Sequence, residues 1–443
     1  MIFKEVLIQP FIRKKIILLS ALLVFFTIYL SDAAAQDELT DRVNEDELKT
    51  VMLYPYSGNL DYQRKVLNPA IISLEGNTPL VLEFDDLRAS YQSFTVKIVH
   101  CGLDWKQSGL RDLEYLSDYN EFFINNYEVS QSTKVPYYHY TFRLPRTRIS
   151  GNFIVQVMEG GLNGRMVIQK RFRVFESRVG ISPSVAPAQD PVLWRTHQQV
   201  GLKLNFKDYP LRDPKSEFRI VVRQNYRDDK VVMLDAKNAM NAGAFELNYR
   251  FFSNENTFPG GSEFRFFDIR STYSRGNYVQ RINNGKVDEI ILSPQSDNSR
   301  RAYLETQDLD GRFMITNIDG NSPDISSDYV KVLFRLKHEN LGQSKKVFIN
   351  GQLSNWQLSD NYLMHYAEQA GEYQAMLFLK QGVYDYKYVL LDEIKEVADE
   401  SFFEGNHSDT ENAYEFFIYH QPPTARTERL IGYSIISDSR KRE

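Results

Sequence analysis

The sequence has little of the residues and motifs that usually mark an enzyme or a disulfide-rich scaffold. Its 443 residues include one cysteine, Cys101, so no intrachain disulfide can form and the fold must rely on core burial. The 7 histidines show no pair spacing typical of a metal site. Nucleophile elbows, P-loops, His-Glu-x-x-His helices and dinucleotide fingerprints are all missing. We therefore predict no enzyme activity, no catalytic residue, no cofactor and no metal.

Strong charge of one sign is also lacking. The net charge is −5 and 25% of residues are charged, which argues against nucleic acid as a partner because nucleic-acid binding needs a concentrated basic face. Cys101 is expected to be a small buried hydrophobe, since nothing near it in the sequence would stabilise a thiolate. A hydrolase with an unrecognised site ranks last among the functional hypotheses.

One apolar run stands out near the N-terminus. It extends over residues 16–30, follows Arg13-Lys14-Lys15 and precedes Ala33-Ala34-Ala35. This order predicts a signal peptide over residues 1–35, removed before Gln36. A retained anchor is the alternative, although the run is shorter than the ~20 residues that cross a bilayer comfortably. Residues 36–46 then form an acidic segment that we expect to be loose.

What the chain has in abundance is aromatic residues in short alternating runs. It contains 29 Phe and 27 Tyr, and such residues favour pleated, half-buried strands. Runs of period two recur, while no helical periodicity lasts longer than a turn or two. The pattern predicts an all-β protein built of β-sandwiches. Clear examples of strands are Phe94–Val99, Asn152–Met158, Glu217–Arg223 and Phe264–Arg270.

Composition also suggests where the domains end. A proline-spaced stretch near 176–194 is typical of a semi-rigid linker or an edge segment, and a stretch rich in Asn, Asp, Ser and Gly covers 317–328. The predicted domains are a first β-sandwich over 47–178, a second over 179–328, a third over 329–420 and a polar tail over 421–443.

Several stretches of the chain resemble one known family. They are Leu82–Leu87, the run His100-Cys101-Gly102-Leu103-Asp104-Trp105, Asp118–Glu121, Ser150–Phe153, His197–Val200, Arg223-Gln224-Asn225, Arg227-Asp228 and Gly261–Ser271. In order and spacing they are similar to the plug protein family of the type IX secretion system, with its N-terminal plug domain and following conserved domain. The motif residues are expected to be structural or to form an interface: His100, Asp104, Trp105, His197, Gln224, Asn225, Phe264, Arg265, Asp268 and Arg270.

The resemblance implies a specific role. In Bacteroidetes the type IX system exports large cargo through a very large outer-membrane β-barrel, and the plug protein is a non-enzymatic stopper of the periplasmic opening of that barrel when no cargo passes. The expected location is periplasmic, at the inner face of the outer membrane and peripheral to it. The expected partner is the barrel, with the plug monomeric as a subunit and without nucleic acid.

The last domain shows a second resemblance. The stretches Val347–Trp356, Gly371–Tyr373 and Gly382–Tyr388 resemble an early-set, glycogen-binding-type immunoglobulin-like domain. The expected fold is thus about three tandem immunoglobulin-like β-sandwiches. Trp356 matches the first of two sugar-stacking tryptophans, while the place of the second, around 393–395, has no aromatic residue. The alternative function is therefore an envelope carbohydrate-binding protein that acts through Trp356.

Three aromatic stretches allow either a core role or a binding role. On the strand Phe264–Arg270 both faces are partly apolar, which favours burial, with Asp268 paired to Arg265 or Arg270. The alternative is an aromatic and arginine surface for a partner. Tyr384, Tyr386 and Tyr388 share one strand face and are expected in the core. Residues 137–140 are a weaker candidate for a contact surface in a loop.

Overall fold

The computed structural model describes residues 38–56, 67–88, 90–209, 211–234, 239–249, 253–422 and 424–437. The predicted signal peptide, residues 1–35, lies outside this part of the chain. Helix within the described ranges is limited to single turns: α1 (Asp112–Tyr115), α2 (Pro214–Glu217) and α3 (Pro323–Ser326), with two 3-10 turns at Gln352–Ser354 and Asp360–Tyr362. No helix among the described residues is long and apolar enough to cross a membrane.

Thirty strands account for the remaining regular structure of the described ranges. The first ten are β1 (Arg42–Val43), β2 (Leu48–Pro55), β3 (Ile71–Ser73), β4 (Leu80–Asp86), β5 (Phe94–Cys101), β6 (Phe122–Phe123), β7 (Asn126–Val129), β8 (Tyr138–Arg143), β9 (Gly151–Glu159) and β10 (Arg165–Phe175). The next ten are β11 (Gly180–Pro187), β12 (His197–Asn205), β13 (Phe218–Gln224), β14 (Val231–Leu234), β15 (Met240–Gly243), β16 (Glu246–Tyr249), β17 (Thr257–Pro259), β18 (Arg265–Asp268), β19 (Val279–Asn283) and β20 (Glu289–Leu292). The last ten are β21 (Gln295–Ser296), β22 (Phe313–Ile315), β23 (Tyr329–Lys337), β24 (Lys345–Asn350), β25 (Leu363–Ala367), β26 (Glu372–Lys380), β27 (Gly382–Asp392), β28 (Val397–Asp399), β29 (Ala413–His420) and β30 (Arg429–Ser437).

Strands β1–β10 form the first sandwich. One sheet has the order β1-β10-β9-β5-β6, with β3 parallel to β10, and the other has the order β2-β4-β8-β7. Period-two alternation sends Phe94, Val96 and Ile98 of β5 into the core between the sheets. The segment predicted to be loose is anchored here, because β1 pairs with β10 and the carboxylate of Asp41 lies 2.6 Å from the Lys170 ammonium.

Strands β11–β17 together with β29 and β30 form the second sandwich. Its sheets have the orders β11-β12-β16-β15, with β17 also on β12, and β14-β13-β29-β30. The central pairing runs antiparallel from Phe218 opposite His420 to Gln224 opposite Tyr414. The proline-spaced stretch near 176–194 supplies β11, which pairs with β12 at the edge of its sheet. Proline is tolerated there because an edge strand leaves one row of N–H groups unused.

Strands β18–β28 form the third unit, whose pairings are continuous along the path β18-β27-β24-β25-β26-β23-β20-β19. The remaining strands β21, β22 and β28 pair with members of this path. Tyr384, Tyr386 and Tyr388 are 2%, 1% and 0% exposed, which confirms their predicted place in the core. The four strand predictions made from alternation are also confirmed as β5, β9, β13 and β18, although β18 is shorter than the predicted Phe264–Arg270 and Glu217 belongs to α2.

The strand pairings run across two of the predicted domain boundaries. Strands β18–β22 precede residue 329 but pair within the third unit, while β29 and β30 complete the second sandwich. The stretch 317–328, whose composition suggested a domain boundary, contains α3, and the carbonyl of Asp324 in that turn accepts a hydrogen bond from Lys380. The predicted polar tail supplies β30, in which Leu430 and Ile431 are buried.

Candidate functional site

The family-like motifs meet where the first and second sandwiches touch. Trp105 ends the turn after β5, and its ring lies between two arginines of β10: the guanidinium carbons of Arg171 and Arg173 are 4.4 and 4.5 Å from the ring centroid. Arg173 also lies 4.5 Å from the ring of Phe417 on β29. Because guanidinium planes bind the faces of aromatic rings, this stack joins the two sandwiches through alternating rings and cations.

Asp228 is the carboxylate that balances this cluster. It accepts hydrogen bonds from Arg173 at 2.7 Å and from Arg223 at 2.9 Å. Burial would raise the pKa of Asp228, but the neighbouring arginines outweigh burial and hold the pKa well below its usual value. Arg223 in turn binds both carboxylate oxygens of Glu415, at 2.7 and 3.0 Å. We call this set, Trp105, Arg171, Arg173, Arg223, Asp228, Glu415 and Phe417, the arginine junction.

A second charged contact joins the second sandwich to the third unit. Arg227 is 5% exposed and donates to both oxygens of Glu400, each at 2.8 Å. The same guanidinium lies 4.2 Å from the ring centroid of Trp356, whose edge meets Phe264. Paired guanidinium and carboxylate groups of this kind are favourable only when the hydrogen bonds are well formed, and these are.

A third contact joins the first sandwich to the third unit. The carboxylate of Asp85 is fully buried and binds the Lys380 ammonium at 2.6 Å, the Tyr329 hydroxyl at 2.6 Å and the imidazole of His139 at 2.8 Å. Burial would raise the pKa of Asp85, but Lys380 and His139 hold it below its usual value. We call Asp85, His139, Tyr329 and Lys380 the Asp85 brace. Beside the Asp85 brace, three side chains each place one oxygen or nitrogen atom within 4.8 Å of the other two: Glu83, His139 and Asp324.

Left-handed backbone turns position Trp105 in the arginine junction and Trp356 at the second charged contact. Trp105 and Trp356 have φ of 60° and 61°, and Asn225 has φ of 49°. Non-glycine residues in this region cost of order 1–3 kcal/mol each, so surrounding contacts must hold them there. Asn225 does so through Asn412 and the backbone of Ala413. The sharp turns place the side chains that follow each strand into the spaces between the sandwiches.

The other motif residues are used mainly inside the protein. His100 is 1% exposed and bonds Ser108, and burial together with the charge of Arg429 lowers its pKa to about 4. Gln224 donates to the Pro259 carbonyl, and Arg265 binds Glu404 at 2.9 Å. The remaining ones are Arg270, which pairs with Asp268 at 2.6 Å, His197, which bonds Thr196, and exposed Asp104, which accepts from the backbone of Lys106.

Cys101 is buried and Trp356 is partly buried. Cys101 is 2% exposed, and burial raises its pKa to about 12, which agrees with the expected inert thiol. The indole of Trp356 has the Arg227 guanidinium 4.2 Å from its ring centroid and makes a T-shaped contact with Phe264, and a side chain at Gly311 would meet it. A sugar ring needs an open aromatic face, so this packing gives the carbohydrate alternative no support.

The predicted contact surface at residues 137–140 is wrong. Tyr137 and Tyr140 are 1% and 0% exposed, because this stretch opens β8 and its rings enter the core. The Tyr137 hydroxyl donates to the carbonyls of Asp324 and Ser327.

Exposed apolar side chains lie instead on and beside strands β6 and β7, in residues that the sequence did not single out. Tyr91, Phe123, Tyr127 and Val129 are 43%, 56%, 42% and 51% exposed, and the rings of Tyr91 and Tyr127 lie 4.7 Å apart. Strand β6 ends one sheet of the first sandwich and β7 ends the other. We call these four residues the aromatic edge. The four-residue strand β7 is too short to show an alternation signal, so sequence pattern alone does not predict it.

Comparison with known proteins agrees with the motif resemblance. Residues 48–176 match a family model described as "Type 9 secretion system plug protein 1st domain". The fold is similar to the crystal structure, at 2.30 Å resolution, of a hypothetical protein from Parabacteroides merdae ATCC 43184, with a TM-score of 0.83 and 30% sequence identity over 91% of this chain and 100% of that chain. None of the curated proteins matches the chain. The motifs, the matched first sandwich and the shared fold lead to one conclusion: the chain belongs to the type IX secretion system plug protein family.

Proposed function

We propose that this chain is a non-catalytic periplasmic plug that closes the periplasmic opening of the large outer-membrane translocon of the type IX secretion system when no cargo passes. Besides the family, the proposal rests on the buried contacts that hold the parts of the chain together. Residues Thr40–Glu443 form one compact unit, and each pair of its three parts is joined by buried charged groups. A stopper that works by filling an opening needs a body that does not bend at its domain contacts.

The three contacts supply that stiffness. Separating the first sandwich from the third unit would break the hydrogen bonds that the Asp85 carboxylate accepts from Lys380 and Tyr329. Opening the arginine junction would separate Asp228 from Arg173 of the first sandwich. The plug would therefore enter and leave its seat as one body, and release would depend on contacts with the translocon rather than on hinge motion.

The aromatic edge is the surface that we assign to the translocon contact. Tyrosine and phenylalanine are enriched among the residues that dominate protein interfaces. Edge strands such as β7 also present unpaired backbone groups that can bind a partner strand. Both features meet at Phe123 and Tyr127, which the fold leaves exposed.

The test is recovery of the translocon with a tagged plug. The chain, starting after the predicted signal peptide at Gln36, is purified from its native host under gentle detergent. We expect the very large β-barrel to come with it in near-equal amount. The double variant Phe123→Ser, Tyr127→Ser should lose most of the barrel. The matched control Tyr273→Ser, at a side chain that is 81% exposed on the third unit, should retain it.

A second measurement separates binding from closure. Cells that carry the aromatic-edge double variant should admit large antibiotics that wild-type cells exclude, and the Tyr273→Ser cells should not. Recovery of free plug alone, with the barrel present in the input, would remove the proposal of a stable complex. Recovery of the barrel without any permeability change in the double variant would leave binding but remove closure through this surface.

A further inference from the structure

A cavity of about 320 Å³ lies between the second sandwich and the third unit. Its lining includes Gln224, Asn225, Phe264, Lys387 and Asn406. One wall is strand β28, where Val397 is 54% exposed, so the cavity meets the surface on that side. The volume falls in the range of sites that hold small molecules or a single side chain of a partner.

Lys387 is the residue that makes this cavity unusual. Lys387 lies between Tyr386 and Tyr388 on β27, on the opposite face of the strand, and is 7% exposed. Its Nζ lies 4.0 Å from the ring centroid of Phe264, and a side chain at Gly261 would come within 3.3 Å of it. Throughout the described ranges this ammonium makes no hydrogen bond and no ion pair. Burial lowers the pKa of Lys387, although Glu400 and Glu404 raise it in part.

The acidic groups near Lys387 bind other partners. Glu400 binds Arg227 and Lys230, and Asp399 accepts from the backbone and hydroxyl of Ser401. Asn406 accepts from the backbone of Gly261 through its oxygen, while its amide nitrogen has no partner among the described residues. The cavity lining thus includes two donors, one of them charged, that bond no acceptor among the described residues. A buried ammonium such as that of Lys387 is costly unless something satisfies it.

We infer that this cavity binds a carboxylate group, carried by a small organic acid or by an acidic side chain of a polypeptide. One ammonium and one amide suit a single negative charge. The carboxylates of Glu400 and Asp399 on the same lining would repel a phosphate dianion more strongly. Phe264 and Val397 offer an apolar surface for the short carbon chain that carries the acid.

This inference stands apart from the proposed function, because the cavity shares no residue with the aromatic edge. It can be tested on the purified chain without the translocon. The probes are glutarate, as a free acid, and a capped Ala-Glu-Ala peptide, with the capped Ala-Gln-Ala peptide and sodium chloride at equal ionic strength as references.

The measurement is the shift in unfolding temperature as each probe is added. We expect glutarate, the Glu peptide or both to raise it in a saturable way, while the Gln peptide and chloride do not. Lys387→Met keeps the carbon stem and removes the charge, and should weaken binding at least about tenfold, the loss expected for a charge-assisted hydrogen bond. Lys346→Met, on the neighbouring strand β24 and paired with Glu393, should bind as wild type does.

The two probes identify the source of the carboxylate. A response to glutarate assigns a small acid, and a response to the peptide alone assigns a polypeptide side chain. No response to either, or an equal response in Lys387→Met, overturns the inference. If the variant does not fold, reductive methylation of the wild-type chain decides: the bound probe should slow modification of Lys387 but not of Lys346, and equal rates with and without probe would rule the site out.

Discussion

Two buried lysines on consecutive strands have opposite environments. Lys380, at the end of β26, is 1% exposed and donates to the carboxylate of Asp85 and to the carbonyl of Asp324, each at 2.6 Å. Lys387, on β27, is 7% exposed and rests on the ring of Phe264 without an acceptor among the described residues. The same side chain at similar burial thus serves as a structural brace in one place and, in the other, lines the cavity for which we propose a carboxylate ligand.

The largest expected effect comes from replacing Lys380, the buried lysine whose ammonium has hydrogen-bond acceptors. Lys380→Met keeps the apolar stem but leaves the buried carboxylate of Asp85 with only His139 and Tyr329. We expect the free energy of unfolding to fall by about 3–5 kcal/mol, measured by urea denaturation. Lys346→Met, at a solvent-facing pair, should show no measurable change. A loss in Lys380→Met no larger than in that control would mean that the brace does not hold the first sandwich to the third unit.

A substitution in the arginine junction tests whether its buried ion pairs stabilise the fold as the Asp85–Lys380 pair does. Asp228→Asn removes the carboxylate shared by Arg173 and Arg223, and should cost about 2–3 kcal/mol at neutral pH. Because the folded pKa of Asp228 is depressed below 3.8, its contribution is present above that pH and is lost as the pH falls further. The difference between wild type and variant should therefore shrink in acid. A difference that does not change with pH would point to altered packing instead of charge.

Asp385 provides the acidic counterpart of Lys387. It accepts from the backbone of Leu309 and Gly311, and burial together with the charge of Asp308 raises its pKa from 3.8 to about 8. A raised folded pKa stabilises the protein below pH 3.8, and this contribution is lost as the pH rises towards 8. Asp385→Asn should thus be more stable than wild type by at least about 2 kcal/mol at pH 8, since each pKa unit of the shift corresponds to about 1.4 kcal/mol. Urea titrations at pH 4 and pH 8 should show the gain only at the higher pH.

The smallest effect, and opposite in sign to that of Lys380→Met, is expected for Lys387→Met in the absence of any ligand. Removing an unsatisfied buried ammonium should raise the free energy of unfolding by about 1 kcal/mol at neutral pH. Because the folded pKa lies below 10.5, the wild type should regain stability as the pH rises towards 10.5, and the two proteins should converge there. If Lys387→Met were less stable than wild type at neutral pH, the Lys387 ammonium would already be well solvated. Lys387 and Lys380 would then both stabilise the fold.

Local pattern was enough to predict the strands and part of the core. The alternation of Tyr384, Tyr386 and Tyr388 placed those rings correctly, since period two fixes which side chains share a face. The same alternation put Asp385 and Lys387 on the opposite face. It could not show that the second sandwich and the 308–311 turn cover that face and bury both charges. Covering of this kind depends on contacts between distant parts of the chain.

The junctions were beyond sequence pattern for the same reason. The motif resemblance drew attention to Trp105, Arg223 and Asp228, but their convergence depends on the return of β29 to β13 after the whole third unit. Arg173 gave no signal, because a charged residue on an alternating strand usually faces solvent. The aromatic edge was missed because its strands are too short to show a period. The proline-spaced edge strand β11 shows that composition alone does not separate linkers from paired structure.

The return of β29 and β30 to the second sandwich has a consequence for how the chain acquires its structure. The third unit is nested inside the second sandwich, so β13 lacks its main neighbour until residues 413–420 have been made. A chain that emerges from its N-terminus can close the first sandwich early, but the second remains half built while the nested unit folds. The last strands then act as a clasp that completes the assembly, and loss of the final thirty or so residues would expose β13 as an open, aggregation-prone edge.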